Sequence, residues 1–180
     1  MFTKNIKFKN FITKKKSKNI KILRNFIKNK SLLKNYPLLK SLTNKFEYSF
    51  QKKKIKSFKK YQEVNLIGMG GSILGAEAIY DFLKYKVNKK FSFYNNLQIQ
   101  SVPKTNKKNI NLVISKSGNT LETVSNFNLL LQSQKKNKNI ILCEKKNNFL
   151  SLLAKKLKAE IFEHKNYIGG RYSVLSEVGM

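Results

Sequence analysis

Between a short apolar run and an apolar-periodic segment, the chain contains Ser115-Lys116-Ser117-Gly118-Asn119-Thr120-Leu121-Glu122-Thr123. The run before it, residues 109–114, is typical of a buried strand, and the segment after it predicts a helix over about 120–135. Gly118 tolerates a positive φ, and Asn119 or Thr120 is placed to cap the helix. Such a junction can bind a dianionic phosphate, because it offers the free amides of the first helical turn, the positive end of the helix dipole and several hydroxyls. An ordinary N-cap after a strand is the alternative interpretation.

A second strand–turn–helix junction lies upstream. Residues 64–67 predict a strand, Gly68-Met69-Gly70-Gly71-Ser72 is a glycine-rich turn, and the apolar residues from Ile73 to Leu83 predict a helix. The turn lacks the Gly-x-Gly-x-x-Gly spacing of dinucleotide sites, and no acidic residue follows at the distance that holds a ribose. NAD binding is therefore the weaker alternative for this turn.

Strands and helices alternate through residues 63–164 with short connections. Further strands are predicted around Leu97–Val102, at 139–143 and at 160–163, with a helix at 147–158. This alternation predicts an α/β fold with a doubly wound parallel sheet over residues 61–165. Right-handed crossovers bring both hydroxyl-bearing turns to the carboxyl edge of the sheet, where ligands bind in such folds.

The first third of the chain is strongly basic. Residues 1–60 hold 20 of the 38 Lys and Arg residues and a single acid, Glu47. Apolar spacing predicts helices at 20–35 and 41–61, separated at Pro37, whereas residues 1–19 also fit a solvated basic arm. We therefore expect residues 1–60 to form a basic, helical N-terminal extension.

The net charge of +29 does not by itself indicate an anionic partner. Only Arg24 and Arg171 are arginines, and nucleic-acid binders depend on arginine for bidentate contacts with bases and phosphates. We expect no specific nucleic-acid partner, although a basic surface attracts polyanions non-specifically at low salt.

The single cysteine and single histidine exclude an internal disulfide and any site built from several of either residue. Cys143 lies in an apolar strand-like run and is predicted to be a small core residue, and His164 is expected at a strand end or on the surface. No apolar run approaches the roughly 18 residues needed to span a bilayer. We expect no metal, no membrane association and a cytoplasmic location.

Near its end the chain contains Gly169-Gly170-Arg171-Tyr172-Ser173, followed by an apolar, serine-spaced run. Two glycines present an arginine in a chain that otherwise uses lysine almost throughout. Because lysine cannot replace a planar, permanently charged guanidinium, Arg171 is a candidate for stabilising developing negative charge. A surface-loop arginine is the alternative.

Three stretches, at 68–76, 115–123 and 169–179, resemble motifs of the glucose-6-phosphate isomerase family, in the family's order. More broadly they are similar to the sugar-isomerase (SIS) domain superfamily. The resemblance implies interconversion of glucose 6-phosphate and fructose 6-phosphate through an enediolate, without a cofactor. It implies that Arg171 is catalytic, that Glu122 lies near the ring-opening histidine, and that the sugar phosphate is bound by Ser72, Ser115, the Lys116 amide, Ser117, Thr120 and Thr123.

The family also places its general base and its ring-opening histidine and lysine downstream of the Gly-Gly-Arg motif. This chain ends nine residues after Arg171, and neither His164 nor Glu177 lies in a matching motif. We therefore expect an inactive N-terminal portion, in which residues 166–180 form an active-site loop leading to a second domain, and we expect a homodimer for the complete enzyme. A non-catalytic sugar-phosphate-binding module, an isomerase of another sugar phosphate and a polyanion-binding protein remain the alternatives.

Overall fold

The computed structural model describes residues 21–22, 24–26, 28–42, 46–97 and 109–179. Backbone contacts divide the chain into two compact units, Met1–Phe46 and Glu47–Met180. In the first unit, helix α1 spans Lys30–Asn35 and a 3₁₀ turn spans Pro37–Leu42. The helix ends before Pro37, as predicted, because proline fixes φ and disfavours a helical conformation of the preceding residue. The expectation for residues 1–19 lies outside the described residues.

The second unit contains a parallel sheet with helices on both faces. Its strands are β1 (Glu63–Gly68), β2 (Lys90–Tyr94), β3 (Ile110–Ile114), β4 (Lys138–Cys143) and β5 (Glu160–Glu163). Its α-helices are α2 (Lys52–Lys56), α3 (Leu74–Leu83), α4 (Leu121–Ser133) and α5 (Phe149–Leu157). No helix in the described part of the chain is long and apolar enough to cross a membrane.

The strand order is β2-β1-β3-β4-β5, and every neighbouring pair is parallel. One face of the sheet packs against α3, against aromatic residues between Phe50 and Tyr61, and against Val178. The opposite face packs against α4 and α5. Because both faces are covered, the central strands are nearly continuous apolar runs. The predicted α/β fold with a doubly wound parallel sheet is confirmed.

A row of buried and partly buried side-chain amides holds the three central strands in register. Asn65, Asn111 and Asn139 occupy matching positions on β1, β3 and β4. The Asn111 amide nitrogen donates to Asn139 Oδ1 at 2.9 Å, and Asn111 Oδ1 accepts from Asn65 Nδ2 at 2.8 Å. A satisfied polar network of this kind specifies one register, since a slipped strand would leave buried amides unpaired. The loops after β1 and β3 therefore leave the sheet at the same level.

Two predicted elements differ from the structure. Leu97 lies in no strand and residues 98–102 lie outside the described residues, whereas the edge strand β2 lies earlier, at Lys90–Tyr94. Ring packing explains its position, because the ring centroids of Phe91 and Phe93 lie 4.9 and 5.7 Å from that of Tyr80.

The continuous helix predicted at 41–61 is also wrong. The described residues there contain the five-residue helix α2 and a 3₁₀ turn, Ser57–Lys60, after a non-helical segment, 46–51. The Ser49 amide donates to Glu177 Oε1 at 3.1 Å, and Phe50 packs on the core. These two long-range contacts hold the segment in a bend.

Candidate active site

The candidate site lies at the carboxyl ends of β1 and β3, which are neighbours in the sheet. The chain leaves β1 for helix α3 on one face and leaves β3 for helix α4 on the other. Where successive connections diverge in this way, a crevice opens at the carboxyl edge of a parallel sheet. Ser72 lies in the 3₁₀ turn after β1, and Ser115 directly follows β3.

Three predicted hydroxyls form one cluster, which we call the hydroxyl cluster: those of Ser115, Ser117 and Thr120. Ser115 is buried; its Oγ lies 2.8 Å from Thr120 Oγ1 and accepts a hydrogen bond from the Gly118 amide at 3.2 Å. Ser117 is exposed, and its Oγ lies 3.5 Å from Thr120 Oγ1. The cluster therefore has a buried base at Ser115 and a solvent-facing side at Ser117.

Helix α4 begins without a side-chain cap. Thr120 occupies the N-cap position in an extended conformation, but its hydroxyl bonds to Ser115 instead of to the first helical turn. Asn119, the other candidate cap, accepts a hydrogen bond from the Phe149 amide at the start of α5, at 2.8 Å. The first amides of α4 therefore keep no intrahelical partner, and they form the positive end of a 13-residue helix.

The turn between Ser117 and Asn119 is packed tightly against the start of α5. Gly118 has φ +72°, and a Cβ at this position would lie 2.2 Å from Asn148 Cγ. The Gly118 carbonyl accepts from the Leu150 amide at 3.0 Å. Asn148 also caps α5 through a reciprocal capping box with Ser151. The loop that carries the hydroxyl cluster is therefore fixed by backbone and side-chain contacts with α5.

The glycine-rich turn contacts the Gly-Gly-Arg segment directly. A Cβ on Gly71 would lie 2.4 Å from the carbonyl carbon of Gly170 and 2.8 Å from the Arg171 amide nitrogen. The buried Ser173 hydroxyl lies within hydrogen-bonding distance of both carbonyls, at 2.6 Å from Gly170 O and 3.2 Å from Gly71 O. The structure thus brings the backbone at Arg171 to the turn that contains Ser72.

The side chain of Arg171 is exposed and lines a cleft formed with residues of α3, Gly71, Gly170 and Val174. Neither Ser72 nor the hydroxyl cluster lines this cleft. Within the described part of the chain, the guanidinium makes no ion pair or side-chain hydrogen bond, and the half-buried Ser72 hydroxyl has no partner. No described residue therefore competes with a ligand for either group.

The remaining predicted residues have different surroundings. Thr123 is fully buried on the first turn of α4, and its hydroxyl has no hydrogen-bond partner in the part of the chain that the structure describes. The Lys116 ammonium donates to the Asn166 carbonyl at 2.8 Å and lies 3.6 Å from Glu144 Oε1. The partners of the Lys116 side chain are thus outside the hydroxyl cluster. Glu122 is half-buried on the first turn of α4.

Cys143 is buried in β4, as predicted, and burial raises the pKa of its thiol. His164 follows β5 at a strand end, and it is buried instead of lying on the surface. Burial lowers the pKa of the imidazole, while the contact of its Nδ1 with the Lys165 carbonyl at 3.0 Å opposes this shift. Among the described residues, no three His, Cys, Asp or Glu side chains are grouped so that they could hold a metal ion.

Several residues that shape the site were not predicted from the sequence. Asn148 and Ser151 have the spacing of a capping box, which is a detectable pattern. Glu144 and Ser173 also contact partners distant in sequence, Lys116 and Gly71, and no local pattern indicates those two contacts.

Comparison with known proteins identifies the family. The phosphoglucose isomerase family model matches residues 30–180. Glucose-6-phosphate isomerase of Borreliella afzelii is 35% identical over 139 residues, covering 68% of this chain and 26% of that protein. The Methanocaldococcus jannaschii enzyme is 34% identical over 143 residues, covering 71% of this chain and 33% of that protein.

Among solved structures, the fold resembles that of tagatose-6-phosphate ketose/aldose isomerase from Escherichia coli. The TM-score is 0.54 at 16% identity, and the match covers 84% of this chain and 42% of that one. At this identity the likeness shows the fold alone, whereas the family model, which matches residues 30–180, shows the family. The chain thus spans about a quarter to a third of the length of these two sequence relatives, and it belongs to the phosphoglucose isomerase family.

Proposed function

We propose that this chain is part of a glucose-6-phosphate isomerase and that the carboxyl ends of β1 and β3 bind the phosphate of the sugar. The observation that carries the proposal is the uncapped start of α4, where Thr120 bonds Ser115 and leaves the first amides free. Free amides, hydroxyls and the positive end of a helix dipole are the groups that bind a phosphate dianion. Relatives of 34–35% identity favour glucose 6-phosphate among sugar phosphates.

In this proposal the phosphate is bound by the amide of Lys116 and by the hydroxyls of Ser72, Ser115, Ser117, Thr120 and Thr123. The hydroxyls of Ser72 and Thr123 have no hydrogen-bond partner among the described residues, which supports their inclusion. Arg171 stabilises the negative charge of the enediolate that forms when a general base removes the proton from C2 of the opened aldose and that ends when the proton is returned to C1. Its guanidinium has no competing ion pair in the described part of the chain, which leaves its charge available.

The isomerisation itself belongs to the complete protein. We propose that residues 61–165 form its sugar-phosphate-binding domain, that residues 166–180 form an active-site loop, and that the general base lies elsewhere in that protein. The proposed enzyme is a cytoplasmic homodimer that needs no cofactor. The 180-residue chain alone should bind the sugar phosphate but show no turnover.

Calorimetric titration of this chain with glucose 6-phosphate at about 0.15 M salt, where long-range charge attraction is screened, tests the proposal. We expect binding of glucose 6-phosphate but not of glucose, because the site recognises the phosphate. Thr120→Ala should weaken binding about tenfold, since it removes a hydrogen bond to a charged group. Ser133→Ala is the matched control, because the Ser133 hydroxyl bonds the Leu129 carbonyl at the far end of the same helix.

Because the chain is strongly basic, specific binding of glucose 6-phosphate must be distinguished from non-specific binding of polyanions. A chain of net charge +29 attracts polyanions through many phosphates or sulfates, with an affinity that falls steeply as salt rises. Heparin binding that glucose 6-phosphate does not displace, together with equal glucose 6-phosphate affinities for wild type and Thr120→Ala, would disprove the proposed site.

A further inference from the structure

Lys116 lies inside the loop that carries the hydroxyl cluster, but its side chain is held by residues outside that loop. Its ammonium donates to the Asn166 carbonyl at 2.8 Å and lies 3.6 Å from Glu144 Oε1. The Lys116 side chain is 31% exposed, so these contacts are partly shielded from water. The lysine therefore bridges two segments that follow different strands, β4 and β5.

Glu144 directly follows β4 and has a side chain that is only 12% exposed. Its second oxygen, Oε2, lies 2.5 Å from Lys146 Nζ, and its amide donates to the Lys116 carbonyl at 3.0 Å. The hydrogen bond from Lys146 and the charges of Lys146 and Lys116 lower the pKa of this carboxyl, although burial opposes the shift. The side chain is thus a carboxylate at neutral pH. Glu144 therefore contacts Lys116 twice, through a backbone hydrogen bond and through an ion pair between the side chains.

Asn166, the other partner of Lys116, lies three residues before Gly169. The backbone of this segment then contacts the glycine-rich turn, where Gly170 lies against Gly71. A continuous set of contacts therefore runs from Glu144 through Lys116 to the segment that carries Arg171. Each step is a hydrogen bond or an ion pair between described residues.

We propose that Glu144 is a positioning residue for the phosphate site: it holds Lys116 on Asn166 and thereby sets the spacing between the hydroxyl cluster and Arg171. This inference rests on the proposed function for its ligand, whereas the coupling between the two segments exists without a ligand. Without Glu144 the Lys116 ammonium is released from its ion pair. It then adds attraction for any phosphate, while the geometry that favours a sugar phosphate is lost.

The test compares Glu144→Gln, Lys116→Met and the double variant with Lys146→Met as the control. Lys146→Met breaks the shorter ion pair of Glu144 but leaves Lys116 and Asn166 in contact. The first readout is amide hydrogen exchange of residues 166–171 without ligand. Exchange should rise about fivefold in both single variants, no further in the double variant, and not in Lys146→Met.

The second readout is the ratio of the affinities for glucose 6-phosphate and inorganic phosphate. This ratio should fall about fivefold in Glu144→Gln and should be partly restored in Glu144→Asp, which keeps the charge. A general loss of stability would not produce this pattern, since it would weaken the binding of both ligands equally and leave the ratio unchanged. If Glu144→Gln does not fold, the same affinity ratio is measured for Lys116→Met, which breaks the same ion pair from the other side.

The two proposals can fail separately. Wild-type protein that binds neither ligand would disprove the proposed function, while the exchange data would still decide whether Glu144 couples the segments. Unchanged exchange of residues 166–171 in Glu144→Gln, or additive effects of Glu144→Gln and Lys116→Met, would overturn the positioning role.

Discussion

The backbone of Gly71 lies directly against that of Gly170: a Cβ built on Gly71 would lie 2.4 Å from both the carbonyl carbon and the carbonyl oxygen of Gly170. No side chain fits at this distance, because both obstructing atoms belong to the backbone. The contact joins the turn after β1 to the segment that carries Arg171, although the two are about 100 residues apart in the chain. Glycine at position 71 is therefore required by packing.

The first prediction is that Gly71→Ala destabilises the fold. The added methyl group must push the segments apart, and overpacking of this kind costs about 1–3 kcal/mol. Chemical denaturation gives the free energy of unfolding. Gly169→Ala is the control, because Gly169 has φ −71° and its Cβ would approach Tyr172 Cδ2 no closer than 3.5 Å. Equal stabilities for the two variants would show that the segments do not touch in solution.

The second prediction separates backbone strain from packing at Gly118. Both Gly118 and Gly70 have positive φ, at +72° and +54°, but only Gly118 lies against Asn148. Gly70→Ala should cost about 1 kcal/mol, the penalty for placing alanine in the left-handed region. Gly118→Ala should cost more than Gly70→Ala by about 1 kcal/mol or more, since its methyl group would also displace Asn148.

The comparison uses unfolding free energies measured in one buffer. Gly118→Ala should also weaken glucose 6-phosphate binding, because the displaced loop carries Ser117 and Thr120. Gly70→Ala and Gly118→Ala variants of equal stability would contradict the close packing of this loop on α5.

The third prediction concerns pH. Burial lowers the pKa of His164 from its ordinary 6.5, so the folded state disfavours the charged imidazole. The unfolded chain therefore binds more protons than the folded one below about pH 6.5, and stability must fall as the pH drops through that range. Lys116 adds to the shift, whereas Glu177 and Glu144 oppose it. The Lys165 carbonyl opposes it as well, through its contact with Nδ1.

Unfolding free energies of wild type and His164→Gln at pH 7.5 and pH 5.5 provide the check. Because glutamine does not titrate, the loss of stability between the two pH values should be smaller in the variant. Identical losses in the two proteins would mean that His164 is protonated as easily in the folded state as in the unfolded chain.

The sequence predicts the elements between residues 109 and 163 closely, because each contains an uninterrupted apolar run or a helical period. The position of strand β2 was predicted less accurately. Its apolar residues Phe91 and Phe93 alternate with Ser92 after a lysine-rich stretch, and their packing on Tyr80 decides the position of the strand. Tertiary contacts overrode the local pattern.

In the candidate site, too, the features that follow from local sequence pattern were predicted, and those that depend on tertiary contacts were not. That two hydroxyl-bearing turns share one edge of the sheet follows from the alternation of strands and helices. The sequence also suggests a cap for α4, but Ser115 lies buried beneath Thr120 and takes its hydroxyl instead. The partners of Lys116 come from the ends of two other strands, 28 and 50 residues away along the chain, so no local pattern reveals them.

The last prediction assigns the role of Arg171 in the complete isomerase that we propose. Arg171→Lys keeps one positive charge but loses the planar fork that can face two oxygens of an enediolate. If the guanidinium contacts mainly the developing charge, the variant should lower kcat about 100-fold while KM changes much less. Lys146→Met is the matched comparison, because Lys146 pairs with Glu144 and its loss leaves Lys116 on the Asn166 carbonyl, so this variant should leave more of kcat intact. A change confined to KM in Arg171→Lys would instead place Arg171 in ground-state binding, since an interaction lost equally from substrate and transition state leaves kcat unchanged.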